Sequence, residues 1–468
     1  MKKLIILLFS FAVVFTSCNK FTDLEPYDYI PEKDAMANLA NANASLVGAY
    51  AGLRSYLYYG RNFVVWGDAP TNNVLVSPSN SNRFLGQAQW SITPSNADLV
   101  DLWNTCYSRL LRVNNIIVNV DDVPDATDAN KDQIKGEALA LRALIHFDLV
   151  RIFAQTYVGN ATSLGIPYVT TVPLPSYQPE RDTVNTVYTN IITDLDNAIT
   201  LLADAAINRG PYHFTLAGVK ALKARVVLTM GNYALAKTLA EEVIATPRFS
   251  LLTNSGYAAS WSAETTTESI FTLAHSSNDY AATNALGYIY LQPGYGDLRV
   301  PPAFKALFDA GDVRQCFFIA GTGTQTTYTF VRKYPAREGI IGLDNYNMIR
   351  LSEMYLIAAE AACKIATPDE TAAQLYLDAI RQRALPSAPA ATETGQDLID
   401  AILLEKRKEL CYEGHYYFDQ KRLQLPIVSA VNAAGVPYKT IPYPSLLLAN
   451  PIPQREMDAN PNMVQNPY

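Results

Sequence analysis

The chain has 468 residues, 49% of them hydrophobic, which is ample for a large buried core. Its 37 basic residues are outnumbered by 44 acidic residues and form no run, which argues against a nucleic-acid-binding surface. Because the chain has 29 tyrosines and 4 tryptophans but only 17% charged residues, we expect aromatic faces that bind amphipathic ligands.

The first residues have the layout of a secretion signal. Two lysines precede an apolar run from Leu4 to Phe15, which is shorter than the roughly 20 residues of a transmembrane helix. Cys18 directly follows Thr-Ser, and this stretch resembles a bacterial lipoprotein cleavage box in which the cysteine is lipidated; the alternative is an ordinary secretory signal. We therefore predict a signal peptide over 1–17, a single large domain over 18–468, and a lipid anchor at Cys18.

Apolar residues recur at helical spacing over most of the chain. Between Val184 and Leu202 they fall at i, i+3 and i+4, a pattern that predicts one buried face of a helix. A similar stripe predicts a helix from Ile134 to Phe153.

Two pairs of helices are predicted to form hairpins. Residues 215–246 predict two helices joined by a tight turn, with Thr215 as the cap of the first and Gly231 at its end. A second pair is predicted at 347–364 and 369–383. Because so short a connection forces antiparallel neighbours, both pairs are similar to tetratricopeptide hairpins, although no 34-residue period repeats along the chain.

Long segments between the helices are rich in Pro, Asn, Ser, Gly and Tyr, and such loops commonly carry binding surfaces. They cover residues 60–91, 156–182, 250–302 and 423–468. Short strands are expected at 268–275 and 326–334. The predicted fold class is therefore mainly α, with tetratricopeptide-like helical hairpins forming a scaffold for long irregular loops and a few short β-hairpins.

No catalytic or metal-binding motif stands out, and we predict neither a metal site nor a cofactor. The four histidines are scattered, and the chain has no HExxH, GxSxG, Walker or strand-following GxGxxG motif. A glycosidase needs only two carboxylates across a cleft, so that alternative stays open. Buried thiols are favoured for three of the four remaining cysteines, and a disulfide among the four is left open: Cys106, Cys316, Cys363 and Cys411.

The stretch YEGHYYFDQKR, residues 412–422, could supply an acid, a base and an orienting carboxylate from Glu413, His415 and Asp419. A catalytic triad needs partners from separate elements, whereas these residues follow one another at the end of a helix. We therefore interpret the stretch as scaffold. In the preceding helix, Glu405 and Lys408 have the spacing of a surface ion pair.

The same region resembles a known family. Residues 403–422, LLEKRKELCYEGHYYFDQKR, are similar to the SusD/RagB signature E-x-R-x-E-L-x-x-E-G-H-R-W-F-D-x-x-R. Tyr416 and Tyr417 stand where the family commonly has Arg and Trp. Further stretches resemble the family in order along nearly the whole chain, at 18–26, 102–117, 134–155, 349–361 and 452–468.

The resemblance implies a mostly helical fold with four tetratricopeptide-like helix pairs and no catalysis. It implies a lipid-anchored outer-membrane protein, facing the cell exterior, that captures an oligosaccharide and delivers it to a SusC-like TonB-dependent transporter. The alternatives are a peptide-binding member of the same family, a surface glycosidase, and a tetratricopeptide adaptor for a protein partner.

Side chains on two loops are candidates for stacking on sugar rings and for hydrogen bonds to hydroxyls. Each aromatic among them could instead be packing, and the set matches no fixed family pattern. Trp103 is assigned to the core because it lies in a helical motif. The candidate substrate-binding residues are Trp66, Asp68, Asn72, Asn73, Arg83, Trp90, Tyr280, Tyr288, Tyr290 and Tyr295.

Overall fold

The computed structural model describes residues 35–172, 174, 176–203 and 209–468. The predicted signal peptide over 1–17 and the predicted lipidation site Cys18 lie outside the described residues. Within those ranges, no helix combines the length and the apolar character that crossing a bilayer requires.

Helices dominate the described part of the chain, and the longer ones form the scaffold. In chain order they are α1 (Leu39–Leu53), α2 (Asn62–Trp66), α3 (Leu85–Gln89), α4 (Ala97–Asn119), α5 (Asp128–Phe153), α6 (Val184–Ala203), α7 (Leu216–Thr229), α8 (Tyr233–Ile244), α9 (Asn254–Ser260), α10 (Leu286–Tyr290), α11 (Pro302–Lys305), α12 (Leu351–Lys364), α13 (Glu370–Ala384), α14 (Gly395–Glu409), α15 (Tyr416–Arg422) and α16 (Gln454–Ala459).

The strands are short and form antiparallel pairs. They are β1 (Leu75–Val76), β2 (Ser269–Leu273), β3 (Leu298–Arg299), β4 (Phe318–Ala320), β5 (Thr329–Val331), β6 (Tyr346–Arg350), β7 (Ile427–Val428) and β8 (Thr440–Ile441). β4 with β5 and β7 with β8 are local hairpins, whereas β1 with β3 and β2 with β6 join distant segments.

The predicted fold class is confirmed, because long helices that follow one another in the chain pack against each other. α4 packs on α5, α7 on α8, and α12 on α13, while α6 packs on both α5 and α7. At the start of α7 the Thr215 side chain accepts a hydrogen bond from the Gly218 amide at 3.2 Å. Gly231 adopts φ +78° and ends the hairpin's first helix, as its lack of a Cβ allows.

One predicted helix begins later than expected. Residues 346–350 form β6 instead of the first turns of the helix predicted from residue 347, and α12 begins at Leu351. The reason is a long-range pairing, because β6 is bonded to β2 with Ile349 opposite Phe271. Local periodicity carries no information about that partner.

The main hydrophobic cluster extends from Ala42 to Met463 across the described residues, and two smaller clusters lie among α12, α13 and the α14 segment. Trp103 is buried in it, with its ring edge-on to Phe153 at 4.8 Å, which confirms the core assignment. The four cysteines of the described residues are free thiols: Cys106, Cys363 and Cys411 are buried, and Cys316 is half-buried.

Candidate ligand-binding site

The stretch 412–422 lies inside the scaffold, where its charged side chains are paired. Glu413 accepts hydrogen bonds from Lys333 Nζ at 2.5 Å and from Arg350 Nε at 2.7 Å, and all three side chains are buried. Burial, together with nearby cations, lowers the pKa of His415 well below its usual range, so the imidazole is neutral. The interpretation of this stretch as scaffold is confirmed.

The ion pair expected between Glu405 and Lys408 is present but buried, so its placement at the surface is wrong. The Lys408 ammonium lies 3.7 Å from a Glu405 carboxylate oxygen, and both side chains are more than nine-tenths buried. Arg314 covers this face of α14 and pairs with Glu405 at 2.6 Å. A segment about ninety residues earlier in the chain therefore turns an apparent surface pair into part of an internal network.

The segment 64–73 supplies core residues where ligand contacts were predicted. Trp66 is 1% exposed, and Asp68 and Asn73 are fully buried. Asp68 accepts hydrogen bonds from Asn73 Nδ2 at 3.1 Å and from the Gly414 amide at 3.3 Å. Burial raises the pKa of Asp68 to about 6. In this conformation no ligand can reach these side chains.

Direct backbone contact with the stretch 403–422 explains this burial. A Cβ added to Gly67 would lie 2.2 Å from the carbonyl carbon of Gly414. Arg407 adds two hydrogen bonds, from Nε to Asn73 Oδ1 and from Nη2 to Asn72 Oδ1, both at 2.8 Å. Asn72 is only half-buried, so it lies at the edge of this contact.

Three predicted aromatics lie apart from one another. Tyr290 is fully buried, with its ring 5.5 Å from that of Tyr412. Trp90 is half-buried and donates from Nε1 to the carbonyl oxygen of Pro70 at 2.9 Å. Tyr280 is half-buried on another turn.

Arg83, Tyr288 and Tyr295 are brought together by two loops. The guanidinium carbon of Arg83 lies 3.6 Å from the centroid of the Tyr295 ring, and the Tyr288 ring lies 5.7 Å from that of Tyr295. Arg83 Nη1 donates to Asp297 Oδ2 at 3.1 Å, and the Arg83 side chain is 33% exposed. We refer to these four residues as the Arg83–Tyr295 cluster. It combines aromatic faces with hydrogen-bond donors, the combination that recognition of a sugar requires.

Two further arginines adjoin this cluster, and neither was predicted. Arg61 precedes α2, donates from Nη1 to Asn284 Oδ1 at 3.3 Å, and interacts electrostatically with Arg83 and Tyr295. Arg299 lies in β3, two residues beyond Asp297. Arg299 ends the tyrosine-rich stretch 278–299 and could have been found there, whereas nothing in the local sequence connects Arg61 with this surface.

The loop that presents the two tyrosines folds tightly on itself. The carbonyl oxygen of Tyr288 accepts hydrogen bonds from the amides of Tyr295 at 2.7 Å and Gly296 at 3.4 Å. Gly296 adopts φ +54°, and a Cβ there would lie 2.5 Å from the Phe330 ring. Glycine is therefore required where the loop turns back, and the turn sets the distance between the two rings.

The opposing loop holds strained backbone. Asn82, Phe84 and Trp90 adopt left-handed φ values of 69°, 54° and 54°. Such conformations cost a non-glycine residue on the order of 1–3 kcal/mol each and persist where surrounding contacts impose them, which is common at binding sites.

Other features lie away from the cluster. A cavity of about 320 Å³ lies beside Trp103 and Tyr177, and another of about 240 Å³ lies beside Arg54 and His213. Across the part of the chain that the structure describes, no group of three or more His, Cys, Asp or Glu side chains is arranged to hold a metal ion.

Two family models match the chain. One, described as "Starch-binding associating with outer membrane", matches residues 20–228, and the other, described as "SusD family", matches residues 320–468. SusD-like protein P38 of Formosa agariphila is 24% identical over an alignment that covers 97% of this chain and 96% of P38.

Solved structures share the fold over most of the chain. A crystal structure from Bacteroides vulgatus ATCC 8482 is 31% identical, with a TM-score of 0.84 and coverage of 92% of this chain and 99% of that one. A structure named "Laminarin binding SusD-like protein" is 23% identical, with a TM-score of 0.73 and coverage of 92% and 99%.

Proposed function

Since this chain belongs to the SusD/RagB family, a carbohydrate-binding family of outer-membrane lipoproteins, we propose that it is a cell-surface oligosaccharide-binding protein. It captures a glycan and delivers it to a SusC-like TonB-dependent transporter in the same membrane. Lipid on Cys18 anchors it there, and it performs no chemistry on the ligand.

The observation that carries the proposal is the Arg83–Tyr295 cluster. Two half-buried tyrosine rings and a guanidinium whose side chain is one-third exposed lie together on one surface formed by two loops. The similarity to a laminarin-binding structure supports a glycan as the ligand class.

We propose that the ligand contacts the half-buried members of the predicted set. Arg83, Tyr288 and Tyr295 form the centre, and Asn72, Trp90 and Tyr280 are candidates for outer contacts. The buried members of the set support the loops instead: Trp66, Asp68, Asn73 and Tyr290.

Calorimetric titration tests this proposal, using the protein that begins after Cys18 and a panel of oligosaccharides and peptides. We expect binding to one glycan class without cleavage. Tyr288→Ala and Tyr295→Ala each remove a ring, worth about 0.5–1.5 kcal/mol, so Kd should rise about 2- to 13-fold. Tyr177→Ala, at an exposed tyrosine on another loop, is the matched control and should leave Kd unchanged.

Other outcomes would separate the alternatives. Binding of peptides alone would overturn the glycan assignment and favour a peptide-binding member of the family. Hydrolysis of any panel member would overturn the non-enzymatic role. The transporter partnership is tested separately, by co-purification of a SusC-like protein from outer membranes, and Cys18→Ser should release the protein from the membrane fraction.

A further inference from the structure

The surface around Tyr295 is cationic, although the whole chain has a formal net charge of −7. Arg83 stacks on the Tyr295 ring, and Arg61 interacts electrostatically with both. Arg299 and Arg83 both interact with the carboxylate of Asp297. Three guanidiniums from three separate segments therefore lie around this cluster; Arg83 is one-third exposed, and Arg61 and Arg299 are buried beneath it.

Carboxylates compensate only part of this charge. Among the described residues, Asp297 is paired with Arg83, whereas no carboxylate lies within ion-pair distance of Arg61 or Arg299. Burial, together with repulsion from Arg83, lowers the pKa of Arg61 against an opposing attraction from the Asp98 carboxylate, and burial lowers the pKa of Arg299. The cluster thus keeps an excess of positive charge in a place where solvent screens it poorly.

Aromatic rings pack against the flat faces of the Arg61 and Arg299 guanidiniums, but this packing does not provide hydrogen-bond acceptors for the N–H groups at their edges. Arg61 stacks on Tyr56 at 4.8 Å, and Arg299 lies over Tyr328 at 4.2 Å. Arg299 Nη1 is buried without a hydrogen-bond partner within the described structure. An unpartnered buried donor is costly. Because Arg299 is only 2% exposed, it contributes positive charge to the cluster rather than a contact that a ligand reaches.

The accessible edge belongs to Arg83. Its Nη1 donates to Ser81 Oγ at 2.5 Å and to Asp297 Oδ2 at 3.1 Å. Its Nε and Nη2 make no hydrogen bond within the described ranges, and one third of the side chain is exposed. The Nε and Nη2 groups of arginine point in parallel and match two oxygens of a carboxylate or sulfate group.

We propose that the captured glycan is anionic, and that a carboxylate or sulfate on one sugar accepts hydrogen bonds from the Nε and Nη2 edge of Arg83. A neighbouring sugar ring stacks on Tyr288. Arg61 and Arg299 add positive potential behind this contact and hold the acidic group against the cluster. The inference rests on the proposed function, because it assigns the ligand class of the same site.

The test uses matched pairs of oligosaccharides that differ only in charge. One pair is oligogalacturonate and its carboxyl-reduced form, a second is a sulfated galactan oligosaccharide and its desulfated form, and neutral laminarin and amylose fragments complete the panel. We expect an acidic member to bind and its neutral counterpart to bind about 10- to 100-fold more weakly, the range expected for hydrogen bonds to a charged group. The two pairs distinguish carboxylate from sulfate.

Arg83→Gln should remove this preference for the charged member and reduce the salt dependence of binding. Arg83→Lys keeps the charge but loses the paired N–H groups, so it should restore only part of the affinity. Arg112→Gln, at an exposed arginine on the outer face of α4, is the control and should behave as wild type. Thermal unfolding of each variant establishes that it is folded.

Binding of neutral glycans alone, or equal affinity for the two members of a pair, would overturn the anionic-ligand inference and leave the proposed function standing. Binding of no glycan at all would overturn both. Preferential binding of an oligoglutamate peptide would also overturn both, because the positive surface would then serve an acidic peptide.

Discussion

Replacing Glu409 by Gln tests whether the stretch around residues 405–422 stabilises the scaffold. Glu409 is fully buried, and its Oε1 accepts hydrogen bonds from Arg383 Nη2 at 2.7 Å and Arg350 Nη1 at 3.0 Å. Its Oε2 lies 3.4 Å from Arg314 Nη1. Burial alone would raise the pKa of Glu409, but these guanidiniums outweigh it and hold the pKa well below its usual range. The carboxylate is therefore ionised in the folded protein.

Gln keeps the shape of the side chain and removes its charge. Removing one partner of a buried ion pair costs about 3–5 kcal/mol. The lower end applies here, because Glu268 still pairs with Arg383 at 2.8 Å and Glu413 with Arg350 at 2.7 Å. A folded chain of roughly 430 residues has an unfolding entropy of about 0.9 kcal/mol/K. The loss therefore corresponds to a decrease in Tm of about 3–4 °C.

Differential scanning calorimetry of the two proteins measures this decrease. Glu242→Gln is the control, because the Lys220–Glu242 pair is exposed, with side-chain exposures of 27% and 44%, and should contribute less than about 1 kcal/mol. Glycan affinity well below the Tm should not change, since Glu409 has no contact with the Arg83–Tyr295 cluster. A variant with wild-type Tm, or one that folds normally but no longer binds the glycan, would refute the scaffold interpretation.

The structure also predicts the direction in which substitutions at His146 and Gly67 change the stability of the protein. The Val169 amide donates a hydrogen bond to His146 Nε2 at 3.0 Å, so the imidazole is neutral, and burial lowers its pKa from 6.5 to about 3. The neutral, buried imidazole therefore contributes its full stability above pH 6.5, and this contribution is lost as the pH falls toward 3. His146→Gln should therefore reduce the slope of unfolding free energy against pH, between pH 4 and 6, by about 1.4 kcal/mol per pH unit. Denaturant titrations at several pH values measure this free energy, and the same pH dependence in wild type and variant would contradict the expectation. Gly67→Ala would place a Cβ 2.2 Å from backbone atoms of Gly414 and should lower Tm by several degrees or prevent folding. Gly48→Ala, which meets no atom within 4 Å in the middle of α1, should raise Tm slightly, and similar Tm changes for the two variants would contradict the close-contact argument.

Much of the fold could be predicted because its determinants are local. The helix predicted from Val184 to Leu202 matches α6, and the predicted cap at Thr215 and break at Gly231 lie where expected. Apolar spacing, caps and glycine breaks involve residues within a few positions of one another, so the sequence displays them directly.

The binding surface was only partly predictable. The tyrosine-rich loop was identified, and Tyr288 and Tyr295 do lie with Arg83 on one surface. The prediction could not separate them from Tyr290, which is two residues from Tyr288 and fully buried.

By itself, the sequence determined a helical scaffold, its family and the structural role of the stretch around Glu409. Only the tertiary structure decided which polar and aromatic side chains a ligand can reach. The physical reason is that exposure depends on contacts between segments far apart in the chain. Gly67 meets Gly414 where Trp66 is buried, and Arg83 stacks on Tyr295, more than two hundred residues away, to form the cluster. The spacing of apolar residues shows which face of a helix or strand is apolar, but it does not show which distant segment covers that face.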